Sequence, residues 1–187
     1  MTEEIDKTLN YLKSGKIILY PTDTIWGIGC DATLPKPIER IFQLKQRHEK
    51  KSMILLLDEP GKLGRYVSQV PPIAFDLIER YSEPLTIVYP GARNLAKNVI
   101  TEDGTIAIRI VRDEFCRRLI AALDKPIVST SANVSNSPAP ITYSKISEEI
   151  RKGVDYIVDH NRNMVLRTKA STIIRILDTG EFEILRK

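Results

Sequence analysis

Lys16-Ile17-Ile18-Leu19-Tyr20 holds four consecutive large apolar residues and stops at Pro21. A run without polar alternation reads as a strand covered on both faces, the condition of strands in α/β sheets. Proline cannot donate to a ladder, so the strand ends there. Thr22-Asp23-Thr24 then falls beyond a strand's carboxyl end, where α/β proteins take ligands. One short segment thus points to both a layered fold and the edge that could bind something.

The remaining pattern agrees with a chain of alternating strands and helices. Ile5, Leu9 and Leu12 recur at helical spacing and Gly15 supplies a stop, which predicts a helix over 2–14. Pro35-Lys36-Pro37 opens a second helix running to about Gln46, with Ile38, Ile41 and Phe42 on one face. Met53 to Leu57 reads as a strand, 59–82 as helix in two pieces broken at Pro71-Pro72, and Leu85 to Tyr89 as a strand ended by Pro90-Gly91. Thr105 to Val111 reads as a further strand. A helix marked by Phe115, Leu119 and Ile120 follows, then a short strand at Ile127 to Ser129 and a polar loop over 131–141. A helix near 143–152, a strand near 154–158 and a final hairpin, Ser171 to Ile176 with Glu181 to Leu185, complete the chain. The expected fold is α/β, a twisted mixed parallel/antiparallel sheet flanked by helices, in a single domain over 1–187.

With 187 residues and 42% hydrophobic content the chain can bury a substantial core. No apolar stretch reaches the roughly 18 residues of a membrane span, and the acidic start Thr2-Glu3-Glu4-Ile5-Asp6 lacks the basic region of a signal peptide, so a soluble, cytoplasmic protein is expected. Cys30 and Cys116 have no metal-ligand spacing and read as reduced, partly buried thiols. The net charge of +4 permits an anionic ligand: nucleotide, phosphate or RNA.

Three segments could carry chemistry. Gly27-Ile28-Gly29-Cys30-Asp31-Ala32 formally fits a dinucleotide fingerprint, but Thr33-Leu34-Pro35 separates it from the helix that should hold the pyrophosphate, so a Rossmann site is rejected. Lys45-Gln46-Arg47-His48-Glu49-Lys50-Lys51 is the densest cationic cluster. Lys45 falls between Ile41 and Phe42 on the apolar stripe, so its ammonium must snorkel or meet an anion. Ser129-Thr130-Ser131-Ala132-Asn133 brings hydroxyls and an amide to a strand end, a set able to donate to phosphate. Arg109, inside Ile106-Ala107-Ile108-Arg109-Ile110, needs a carboxylate from the protein or from a substrate. His48 and His160 show no catalytic or metal arrangement and read as surface residues. No metal-ligating residues and no carboxylate pair for acid/base work stand out. The implied chemistry is the binding and orienting of anions.

With Tyr20-Pro21-Thr22-Asp23-Thr24, Lys45-Gln46-Arg47, Arg109 and Ser129-Thr130-Ser131-Ala132-Asn133 in order, the chain resembles, over nearly its whole length, the YrdC-like family of threonylcarbamoyl-AMP synthases. The resemblance implies a nucleotidyltransferase that makes threonylcarbamoyl-AMP and pyrophosphate from L-threonine, bicarbonate and ATP. The product serves threonylcarbamoyladenosine modification of tRNA beside the anticodon. It implies Thr24, Arg109, Ser129 and Ser171 around threonine, and Lys45, Arg47, Lys51, Thr105, Ser131, Asn133 and Arg186 near the nucleotide, with Lys45 and Arg47 catalytic. It implies magnesium held mainly through ATP phosphates, binding of tRNA or double-stranded RNA, and transient contact with the threonylcarbamoyl transferase machinery. No membrane association is implied. The short, single-domain type is expected.

The chain departs from the family pattern at Tyr81-Ser82-Glu83-Pro84-Leu85-Thr86, His48, Leu56 and Ala139. Asn133 favours the synthase group over the YciO-like paralogues, which lack that asparagine. The alternative readings are a YciO-like paralogue without this activity, or an RNA-binding module holding phosphates on the same basic face. The scarcity of aromatics interleaved with basic residues weighs against the module.

Overall fold

The computed structural model describes residues 1–46, 53–135, 137–163, 170–177 and 179–187. Among the described residues nine strands form one mixed sheet: β1 (Ile18–Pro21), β2 (Trp26–Gly29), β3 (Ile54–Leu57), β4 (Leu85–Tyr89), β5 (Ile106–Ile110), β6 (Ile127–Ser131), β7 (Tyr156–Ile157), β8 (Thr172–Ile176) and β9 (Phe182–Arg186). Their spatial order is β7-β1-β2-β6-β3-β5-β4-β8-β9. The pairs β1/β7, β3/β5 and β4/β8 are parallel and the others antiparallel. The helices are α1 (Thr2–Lys13), α2 (Pro35–Leu44), α3 (Leu63–Tyr66), α4 (Pro72–Arg80), α5 (Glu114–Leu123) and α6 (Glu148–Gly153).

Local chemistry sets these bounds. Glu3 and Glu4 in the first turn of α1 and Lys13 in its last complement the helix dipole. Gly15 follows at φ +67°, a backbone shape that favours glycine. Asp113 caps α5 by accepting the Cys116 N–H at 2.8 Å. Pro35 and Pro72 open α2 and α4 where no backbone donor is needed.

The period of two along the strands divides the side chains between two cores. Ile17, Leu19, Trp26, Ile28, Leu55, Leu57, Ile106, Ile108 and Val128 meet α2, α3, α4 and α6 on one face. Ile18, Tyr20, Leu56 and Ile127 meet α1 and α5 on the other. β1 is therefore buried throughout, as its unbroken apolar run predicts. The second core involves β1, β3 and β6 but reaches no residue of β4, β5, β8 or β9. Helices thus cover one face broadly and the opposite face only in part.

The structure differs from the sequence reading in five places. Trp26–Gly29, for which the sequence predicts no element, is strand β2. Ile127–Ser131 is longer than expected, and the helix expected near 143–152 is a short 3-10 turn at Tyr143–Lys145 followed by α6. The strand near 154–158 shrinks to two residues. His160 is half-buried, stacked on Phe115 with ring centroids 4.9 Å apart.

The glycines that disguised β2 have a packing reason. A Cβ on Gly29 would lie 2.5 Å from the Val128 carbonyl oxygen and 2.7 Å from the Tyr20 ring. The fully buried Tyr20 ring occupies the space that a side chain there would need. Gly29→Ala should therefore cost about 1–3 kcal/mol of stability through overpacking, read as a lowered urea midpoint with an unchanged slope. An unchanged midpoint would contradict this account of the close approach.

Candidate substrate-binding cleft

Where α1 and α5 leave the sheet uncovered, side chains on the same face line a cleft of about 780 Å³. The ladder register builds its floor. Arg175, Val88, Ala107, Ile54 and Ser129 lie opposite one another in successive strands, and Ile173, Thr86, Arg109 and Leu56 form the next row. Apolar partners on the opposite face, such as Ile108 and Val128, are locked in the core. Polar groups on the cleft side thus stand on a rigid platform.

Arg109 is 4% exposed, and its Nη2 pairs with Asp23 Oδ1 at 3.0 Å while Nη1 donates to Thr24 Oγ1 at 3.3 Å. Burying a guanidinium requires such partners, and the turn after β1 supplies both. The carboxylate that the sequence left open is thus provided in part by the protein. Arg109 Nε is buried with no hydrogen-bond acceptor among the described residues. Thr22 and Thr24 share a hydroxyl hydrogen bond at 3.0 Å, and Thr22 Oγ1 donates to the Ile25 carbonyl at 2.7 Å, which fixes the turn.

Ser171 is buried, its hydroxyl 2.8 Å from that of Thr86. Arg186 Nη2 donates to the Ser171 carbonyl at 2.8 Å and to its hydroxyl at 3.2 Å. Burial, with the Arg109 charge behind it, holds the Arg186 guanidinium below its ordinary value. The two cations are therefore electrostatically coupled, a situation an incoming anion relieves. Thr105 closes one lip in a turn with Thr101 and Asp103; hydrogen bonds from Thr101 and Thr105 hold the Asp103 carboxyl below its usual range.

The cleft brings together Thr24, Thr105, Arg109, Ser129, Ser131, Ser171 and Arg186 from the expected set. Lys45 and Asn133 are outside this lining. Lys45 lies on the apolar stripe as expected, but at 2% exposure it does not snorkel to solvent. Its ammonium donates to the carbonyl oxygens of Ser131 and Asn133, each at 2.5 Å, while its own carbonyl accepts from Ser135 N–H at 2.9 Å. It therefore holds the loop after β6 from beneath. Asn133 donates to the Val134 and Ser137 carbonyls, and its Oδ1 is buried with no partner among the described residues. Arg47, His48 and Lys51 lie outside the described residues.

Sequence reasoning did not single out Arg175, Glu102 or Asp103, all of which line the cleft. The alternation Ile174-Arg175-Ile176 was the available signal for Arg175, because a charge between core residues points to the opposite face. The dinucleotide reading stays rejected: Gly27 and Gly29 lie within a strand, and Asp31 is tied to Thr33 and Lys125. Both cysteines are free and buried, and burial pushes both thiols up, so neither supplies a thiolate nucleophile. No helix among the described residues is long and apolar enough to cross a membrane.

Hydroxyls and guanidiniums on a partly covered mixed sheet define an α/β protein built to bind and orient an anionic ligand. The chain belongs to the Sua5/YciO/YrdC family: that family's model, described as "Telomere recombination", matches residues 10–187. It is 32% identical over 158 residues to threonylcarbamoyl-AMP synthase of Pseudoalteromonas translucida, covering 83% of this chain and 84% of the relative. P. abyssi Sua5, in a crystal structure complexed with L-threonine, superposes with a TM-score of 0.88 at 27% identity. That match covers 97% of this chain and 53% of the other, so the chain spans about half the length of that Sua5. E. coli YciO shares the fold, with a TM-score of 0.87 at 23% identity over 100% of this chain and 90% of that one.

Proposed function

We propose that this protein is an L-threonylcarbamoyladenylate synthase, converting L-threonine, bicarbonate and ATP to threonylcarbamoyl-AMP and pyrophosphate. The observation that carries this reading is the convergence, in one cleft, of a buried arginine with an unpartnered Nε, a second arginine beside it, and hydroxyls from four separate chain segments. Relatives bearing the synthase name and the threonine complex of Sua5 support it.

In this reading Arg109 receives the threonine carboxylate, with Thr24, Ser129 and Ser171 lining the amino acid's site. The threonine ammonium gives up a proton; the amine nitrogen then bonds to the bicarbonate carbon, water leaves, and an N-carboxylate forms. One of its oxygens attacks the α-phosphorus of ATP as the bond to the bridging oxygen breaks, and pyrophosphate departs. Thr105, Ser131, Asn133 and Arg186 serve the nucleotide, and Lys45, Arg47 and Lys51 complement the phosphate charge.

No group of three or more His, Cys, Asp or Glu side chains that could hold a metal converges among the described residues. Of the two acids at the cleft's lip, Asp103 is engaged by Thr101 and Thr105. This donor set suits magnesium carried mainly by the triphosphate, where the ion neutralises phosphate charge. The adenylate is a labile mixed anhydride, so its consumer is a threonylcarbamoyl transferase acting on tRNA.

The test is pyrophosphate release, with mass detection of threonylcarbamoyl-AMP, from ATP, magnesium and bicarbonate with and without L-threonine. Product that requires both threonine and bicarbonate is expected. A folded, ATP-binding sample that forms none would overturn the assignment and favour a paralogue or a binding module.

A further inference from the structure

We infer that β9 is a self-complementary edge through which two copies of this chain pair antiparallel, joining their sheets into one. β9 ends the strand order, and no strand among the described residues lies beyond it. The opposite edge, β7, is only two residues long, whereas all five residues of β9 are exposed. Phe182, which opens the strand, is 48% exposed and Ile184, at its centre, 53%, unusual values for large apolar residues of an edge strand. Soluble proteins normally blunt such edges with charge, proline, bulges or brevity, because unpaired N–H and C=O groups are a template for another strand; β9 has a register shift beside Leu185 and charges at Glu183 and Arg186, but its core-side residues Phe182 and Ile184 carry none.

The register shows which face is apolar. Phe182 stands opposite Ile176 and Ile184 opposite Ile174, so both extend the row that belongs to the helix-covered core. Arg186 stands opposite Ile173, and Leu185 and Arg186 line the cleft on the other face. An antiparallel copy of β9 centred on Ile184 would continue the apolar row where the two Ile184 side chains meet and leave the cleft mouth on the other face.

The charges select the occupant and its direction. The acids Glu181 and Glu183 precede Ile184, and the bases Arg186 and Lys187 follow it. Antiparallel pairing about a two-fold axis near Ile184 sets the acidic end of one copy against the basic end of the other, twice. Parallel pairing sets like against like. Ser171 holds the Arg186 guanidinium, so Glu181 meets Lys187 of the partner subunit. The arrangement is isologous and closed, which limits assembly to a dimer. Because β9 also carries Leu185 and Arg186, each cleft wall would be steadied by the partner subunit.

The test is sedimentation of the full chain from about 1 µM to about 1 mM, with circular dichroism to confirm folding. A concentration-dependent dimer is expected for the unaltered protein. Ile184→Lys and Glu181→Lys should each shift the folded protein to monomer. The double variant Glu181→Lys with Lys187→Glu should restore the dimer, and this charge pair carries the test if Ile184→Lys does not fold. A monomer at every concentration overturns the inference. So does a folded double variant that behaves like Glu181→Lys alone.

Discussion

Arg109→Ala should lower kcat/KM for threonine on the order of 100-fold, the equivalent of losing a charge-assisted hydrogen-bond pair to the carboxylate. The same change strips Asp23 of its ion-pair partner. That carboxylate is only 14% exposed, and breaking a buried pair from one side costs about 3–5 kcal/mol. Activity and stability must therefore be read separately. Arg109→Lys keeps a positive charge facing Asp23 and should recover most of the stability. An ammonium lacks the planar fork, so threonine affinity should stay low. Threonine titration by calorimetry alongside urea unfolding separates the two effects. A folded Arg109→Ala protein with unaltered threonine affinity would remove the arginine from the substrate site.

The second large effect concerns Lys45. Lys45→Met should destabilise the protein by about 1–3 kcal/mol, because two partly buried carbonyls, those of Ser131 and Asn133, lose their ammonium donor. Turnover should fall on the order of 100-fold or more, comparable to removing one preorganised donor from a site of developing charge. Amide exchange distinguishes the routes. The Ser135 N–H, bonded to the Lys45 carbonyl, should exchange faster if the loss acts through the loop after β6. Unchanged exchange with lost turnover would assign the lysine a direct electrostatic role on the phosphates. Retention of both would show that this ammonium matters to neither.

The apolar runs of β1, β3, β4 and β5 made most of the sheet readable, because strands covered by helices advertise themselves by composition. β2 was hidden for a physical reason. Its two glycines look like a turn locally, whereas they pair with β1 and β6 and leave room for the Tyr20 ring. Arg109 was legible as a charge within an apolar strand needing an anion, yet its partner Asp23 follows from the turn geometry after β1, which no spacing rule encodes. Lys45 was legible as a cation on the apolar stripe, since its helical angle places it among Ile41 and Phe42, but not as one that stays out of solvent. That it braces a loop from beneath depends on where β6 ends beside α2, a tertiary relation. Arg175 was missed although the alternation of β8 marked it.

The interleaving of core and cleft residues along β5 and β6 bears on how such a protein can change length. Ile106 and Ile108 belong to one core while Ala107 and Arg109 face the cleft, and Val128 and Ser129 divide likewise. A single inserted or deleted codon within either strand would exchange the two sets, exposing core side chains and driving the arginine into hydrocarbon. Insertions and deletions between orthologues should therefore cluster in the connections and spare these ten positions, even where substitution has rewritten much of the remaining chain.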